Sequence, residues 1–241
     1  MQKFSSIIKL AEKRKGGAGK LNSILPKVPS HKSITKKGDD RFLSMMTKCI
    51  NQAGFHWGVI EKKWPEFEEA FFNFNINKLA NLSDEEWEAY TKDTRVVRNW
   101  PKIKATRENV NFILTEAREH GSFGQFIANW PKDDQVGLML YLKKHGSRLG
   151  GNTGQRFLRN MGRDAFVLSS DVIIALQNAG ADIHDNPTSK KDLNLIQQTF
   201  NAWHNETKLP YTHLSKIAAY SAGTNHSTEE IKQYLAMPQY E

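Results

Sequence analysis

The 241-residue sequence predicts an all-α protein. Apolar residues recur at helical spacing through most of the chain. Helix start and stop signals lie between these runs. No segment alternates apolar and polar residues long enough for a half-buried strand. About ten helices are expected, with no β-sheet and no internal repeat.

Ser5 and Ser6 are candidate caps for a short helix carrying Ile7, Ile8, Leu10 and Ala11, which stops at Gly16-Gly17. From there to residue 38 the chain is rich in Gly, Pro, Ser and Lys, which reads as an extended arm. Asp39 or Asp40 opens a helix with Phe42, Met45, Met46 and Ile50 on one face. Residues 57–72 are helical, with Pro65 after Trp64 expected to open a new helix. Ser83-Asp84-Glu85-Glu86 has the form of a capping box, followed by Trp87 and Tyr90. Residues 101–119 form a strong amphipathic helix with Ile103, Val110, Ile113 and Leu114 inward. Trp130-Pro131-Lys132-Asp133-Asp134 marks another start, leading into Val136, Leu138, Leu140 and Leu142. Further helices fit residues 153–162, 170–179, 188–206 and 210–222. The expected division is a basic arm, 1–38, and one helical domain, 39–241, with room for two lobes.

Composition narrows the function classes. The chain is 39% hydrophobic and 25% charged, ordinary for a globular protein. No apolar run is long enough to span a bilayer, and no secretory leader is evident, so a cytoplasmic protein independent of membranes is expected; a monomer is expected as well. One cysteine, Cys49, excludes a disulfide framework and a Cys-rich zinc site. The net charge of +8 sits in residues 1–41, which hold 11 Lys/Arg and 3 Asp/Glu. Such an arm either neutralises phosphates or is a solvated tail.

The most informative segment runs from Leu142 to Gln155. A basic helix end, Lys143-Lys144-His145, meets a turn built from Gly146, Ser147, Arg148, Leu149, Gly150 and Gly151. Asn152 and Thr153 then open a new helix. Glycine lets backbone approach a ligand closely, and amides freed at a helix N-terminus attract a phosphate oxygen. A hairpin of this kind grips a nucleic-acid backbone without reading bases. It is equally the form of a plain helix connector.

The order hairpin, helix, apolar link Phe166–Leu168, then Asp171 opening another helix resembles the helix-hairpin-helix DNA glycosylases. Upstream, Gln52-Ala53-Gly54-Phe55-His56-Trp57, Thr94–Asn99 and Lys102-Ile103 resemble the bacterial 3-methyladenine DNA glycosylase I family, in the same order, over residues 39–175. The resemblance implies an all-α helix-hairpin-helix glycosylase fold and duplex DNA containing a damaged base as partner. It implies no cofactor, and a monofunctional N-glycosylase that flips and hydrolyses off an alkylated purine.

That resemblance also implies roles. A glycosylase needs a wedge for the vacated stack, a pocket for the flipped base, and stabilisation of positive charge on the sugar. Gln52 and Phe55 are the wedge candidates. Trp57 matches the family's base-stacking tryptophan, with Trp100 a further pocket candidate; Trp64, Trp87, Trp130 and Trp203 read as core. Cys49 stands where the family carries a pocket glutamate, and the family's zinc ligands have no counterpart. Asp171 is the candidate catalytic carboxylate, or else a first-turn acid favoured by the helix dipole. Lys143, Lys144, Gly146, Arg148, Gly150, Gly151, Asn152 and Thr153 are the DNA-backbone candidates. The hairpin holds no lysine in the Schiff-base position, so base removal without strand cleavage is expected.

Two other readings stand beside the enzyme. One is a non-catalytic lesion- or abasic-site binder on the same fold. The other is an all-α interaction protein with no DNA role.

Overall fold

The computed structural model describes residues 1–236, with side chains to residue 233; the last five residues of the expected 39–241 domain lie outside it. The described residues are all helical, without a strand. Among the described residues there are fifteen α-helices rather than about ten. Those not anticipated are short, such as Ile76–Ala80 and Phe123–Asn129, or sit in segments rich in turn residues. A helix of one or two turns shows too little of the 3.6-residue period to be read from sequence.

The chain folds as two compact units: Met1–Val28 with Pro131–Gly137 and Asp164–Glu241, and Pro29–Trp130 with Leu138–Arg163. In the first, helix Phe4–Lys15 packs on Tyr211–Ser221, which also meets Ser170–Asn178 and Lys190–Thr207. Phe4, Phe166, Phe200 and Trp203 form its aromatic core, with Phe166 and Phe200 stacked at 4.3 Å. The first helix is not capped by Ser5 or Ser6. The carboxylate of Glu206 accepts from the Phe4 and Ser5 amides, at 2.8 and 3.2 Å.

Residues 17–38 are likewise not simply extended. They contain helices Ala18–Asn22 and His31–Thr35, and they bury Leu21, Ile24 and Ile34. Three apolar anchors among many Lys and Gly residues suffice to hold these short helices in place, which composition alone conceals.

In the second unit, Asp39–Gln52 packs between Trp100–His120 and Gly151–Asn160. Phe42, Phe112, Phe123 and Phe157 fill the interior. Pro65 does not open a new helix; Trp57–Ala70 runs through it. Trp64 and Phe67, on either side of the proline, stack at 4.9 Å and are both buried, which outweighs one missing backbone hydrogen bond. The capping box is present: Ser83 Oγ accepts from the Glu86 amide, and the Glu86 carboxylate accepts from the Ser83 amide.

Candidate nucleic-acid interface

The hairpin joins helix Gln135–His145 to helix Gly151–Asn160. Its turn is locked from inside. Leu149 is buried, and a Cβ at Gly154 would overlap the Leu149 carbonyl oxygen. At Gly146 a Cβ would crowd the Leu142 carbonyl oxygen and the Leu149 side chain. Arg148 and Gly151 take left-handed φ of 57° and 56°. The second helix starts at Gly150 with no side-chain cap, so its first amides are not occupied by a protein oxygen from that residue. Gly151 and Asn152 are exposed, Thr153 is half-buried, and Lys143, Lys144 and Arg148 point to solvent around them. A helix start without a side-chain cap, in a hairpin that carries three exposed cations, suits a phosphate.

Asn109, which sequence reasoning missed, holds this turn. It is fully buried on helix Trp100–His120, accepts from the Ser147 amide at 2.8 Å, and donates to the Ser147 carbonyl at 3.1 Å. An asparagine on the apolar stripe of an amphipathic helix was the available signal.

The loop after helix Asp39–Gln52 carries the wedge candidates. Phe55 is 45% exposed, whereas Gln52 is buried and donates from its amide to Glu61 at 2.8 Å. Lys102 braces the loop: its Nζ donates to the Asn51 and Ala53 carbonyls and lies 4.4 Å from the Phe55 ring centroid. Burial, and then the nearby Arg148 guanidinium, lower the Lys102 pKa below its ordinary value.

Behind the loop, Trp57 begins helix Trp57–Ala70 and is half-buried. The Arg156 guanidinium lies 4.6 Å from its ring centroid. Among the described residues Arg156 finds no hydrogen-bond or ion-pair partner. Cys49 is buried one helix away; burial pushes its thiol pKa up to about 12, against the pull of Arg156. Asn160 reaches the Cys49 Sγ at 3.8 Å and Met45 at 3.7 Å. Helices Asp39–Gln52 and Gly151–Asn160 thus bring together Cys49, Arg156 and Asn160. Trp100 is 36% exposed at the first position of its helix, with no link to this group. Trp64, Trp87 and Trp203 are core, while Trp130 is half-buried against Phe126 and Tyr141.

Asp171 belongs to the first unit. Ser169 caps its helix by accepting from the Val172 amide, so Asp171 is not the cap. Its half-buried carboxylate packs on the Gly223 backbone, where a Cβ would overlap it. Among the described residues it makes no hydrogen bond or ion pair. Among the described residues one trio could approach a cation: Glu116, Glu119 and His120, with ligand atoms within 4.8 Å of one another. Glu116 there accepts from the Tyr141 hydroxyl at 2.8 Å and pairs with His120 at 3.5 Å. No helix is long and apolar enough to cross a membrane among the described residues.

A solved 3-methyladenine DNA glycosylase I is similar at 21% identity, over 58% of this chain and 82% of that one, with a TM-score of 0.46. The Staphylococcus aureus 3-methyladenine DNA glycosylase I, solved for its recognition of 3-methyladenine, is similar at 21% identity, over 64% and 85%, with a TM-score of 0.46. The methyladenine glycosylase family model matches residues 33–174, more than half of the chain, a span holding Cys49, Trp57, the hairpin and Asp171. The chain belongs to the methyladenine glycosylase family.

Proposed function

We propose that this protein is a monofunctional DNA glycosylase that flips a damaged purine from duplex DNA and hydrolyses its N-glycosidic bond. The observation that carries this reading is the locked hairpin of residues 146–151, with uncapped amides and exposed Lys143, Lys144 and Arg148, in the same unit as the exposed Phe55. The hairpin holds phosphates, and Phe55 fills the stack that the base leaves. Trp57 offers the base an aromatic face. Asp171, without an internal partner among the described residues, supplies negative charge to the oxocarbenium-like sugar or orients water. The lesion class that family membership brings is an alkylated purine, 3-methyladenine-like or 7-methylguanine-like.

Duplex DNA carrying methylated and deaminated purines tests this, with free base separated and measured. Release of base without strand scission is expected. Folded protein that releases no base from any lesion overturns it. The second reading, a lesion or abasic-site binder without turnover, draws on Cys49, a neutral thiol where the family resemblance places a carboxylate. Tight abasic-duplex binding with no base released would select it.

A further inference from the structure

The last turns of helix Trp100–His120 carry Glu116, Glu119 and His120, side chains that share one side of the helix end. Glu116 is the unusual member. It is 2% exposed on the inner face of the helix, where a carboxylate is costly unless its charge is met. The Tyr141 hydroxyl donates to its Oε1 at 2.8 Å. The other oxygen, Oε2, is buried and accepts no hydrogen bond among the described residues. His120 Nε2 stands 3.5 Å from that oxygen, beyond the usual reach of a charge-assisted hydrogen bond. The exposed Glu119 carboxylate completes the trio.

From this geometry we infer a binding site for one divalent transition-metal ion of the zinc class, held by Glu116 Oε2, His120 Nε2 and the Glu119 carboxylate. The inference is independent of the glycosylase reading. Two ligand atoms that each lie about 2.1 Å from a tetrahedral cation are about 3.4 Å apart. The Glu116–His120 separation of 3.5 Å is close to that spacing. A cation also suits the negative end of the helix dipole. Imidazole beside carboxylates favours zinc over calcium and magnesium, which take oxygen ligands. The site needs no cysteine.

Tyr141 ties the site to the hairpin. Burial, and then the hydrogen bond to Glu116, push its pKa up to about 12, so the hydroxyl stays a donor to the ligand carboxylate. A donor of this kind fixes the orientation of a metal ligand. The Tyr141 ring stacks on His145 at 4.2 Å, at the end of the helix that enters the hairpin. A metal ion that fixes Glu116 therefore steadies the helix ahead of the Gly146–Gly151 turn.

The full chain, stripped with a chelator and dialysed, tests this by calorimetric titration with zinc. One equivalent should bind and raise the melting temperature. His120→Ala and Glu119→Gln, both at exposed positions, should each weaken zinc binding by about tenfold or more. Tyr141→Phe should weaken it by about tenfold. His184→Ala, which removes the His184–Asp192 pair, should bind zinc as the native chain does. Hydrogen exchange between Gln135 and Ser147 should slow when zinc is added to the native chain and not when it is added to His120→Ala. No saturable zinc binding, or native affinity in both folded His120→Ala and folded Glu119→Gln, overturns the site. Magnesium binding as tight as zinc, or a loss of zinc in His184→Ala instead, overturns it too. Exchange unchanged at one bound equivalent overturns the bracing of the hairpin.

Discussion

Asn109 and Ser147 hold each other through two reciprocal hydrogen bonds, amide to carbonyl oxygen at 2.8 Å and carboxamide to backbone carbonyl at 3.1 Å. One buried side chain thereby satisfies both backbone groups of a hairpin residue in the turn proposed to grip DNA. Asn109→Ala leaves those groups short of partners and is expected to cost about 1–3 kcal/mol. Thermal unfolding reads the cost, and duplex affinity should fall with it. A variant with native stability and native DNA affinity would show that the turn stands without this brace.

Lys143 and Lys144 are exposed at the end of their helix and have no ion-pair partner among the described residues. Replacing both with glutamine should leave stability within about 0.5 kcal/mol, since exposed surface changes seldom do more. The dependence of duplex affinity on salt should weaken by about two counterions, one for each phosphate no longer neutralised. A slope unchanged from the native protein would remove these lysines from the interface.

Asp171→Asn keeps the size and first-turn position of the side chain but removes its charge. Single-turnover base release should slow by about 10²–10³-fold, the size found when a group stabilising transition-state charge is removed. Abasic-duplex binding should persist. Unaltered release would leave Asp171 as a helix-turn acid only.

Glu206 links the chain's first helix to a residue some two hundred positions away. The Phe4 amide, and then the Ser5 amide, hold its pKa below the ordinary 4.5. The native chain therefore binds fewer protons than the unfolded chain between the two values. The stabilisation is fully present above the ordinary value and is lost as pH falls through the lowered one. Glu206→Gln should melt lower than native at pH 7, with the gap closing in acid; a gap independent of pH would contradict the pairing. Glu206 is exposed, so solvent screening keeps the effect small.

The sequence by itself determined the helical class, the long helices and the hairpin, because each is written in local periodicity, glycine placement and capping residues. It also determined the family, since the Gln52–Trp57 block and the hairpin are contiguous motifs. Only the tertiary structure decided what those motifs rest on. Asn109, Lys102 and Arg156 lie 38, 49 and 99 positions from Ser147, Ala53 and Trp57. Their roles come from helices crossing at those points rather than from local pattern. The same is true of the Glu206 cap and of helix Trp57–Ala70 running through Pro65, where distant packing outweighs the local signal. Local propensity is worth fractions of a kilocalorie per residue, and burial of apolar surface between remote segments readily overrides it.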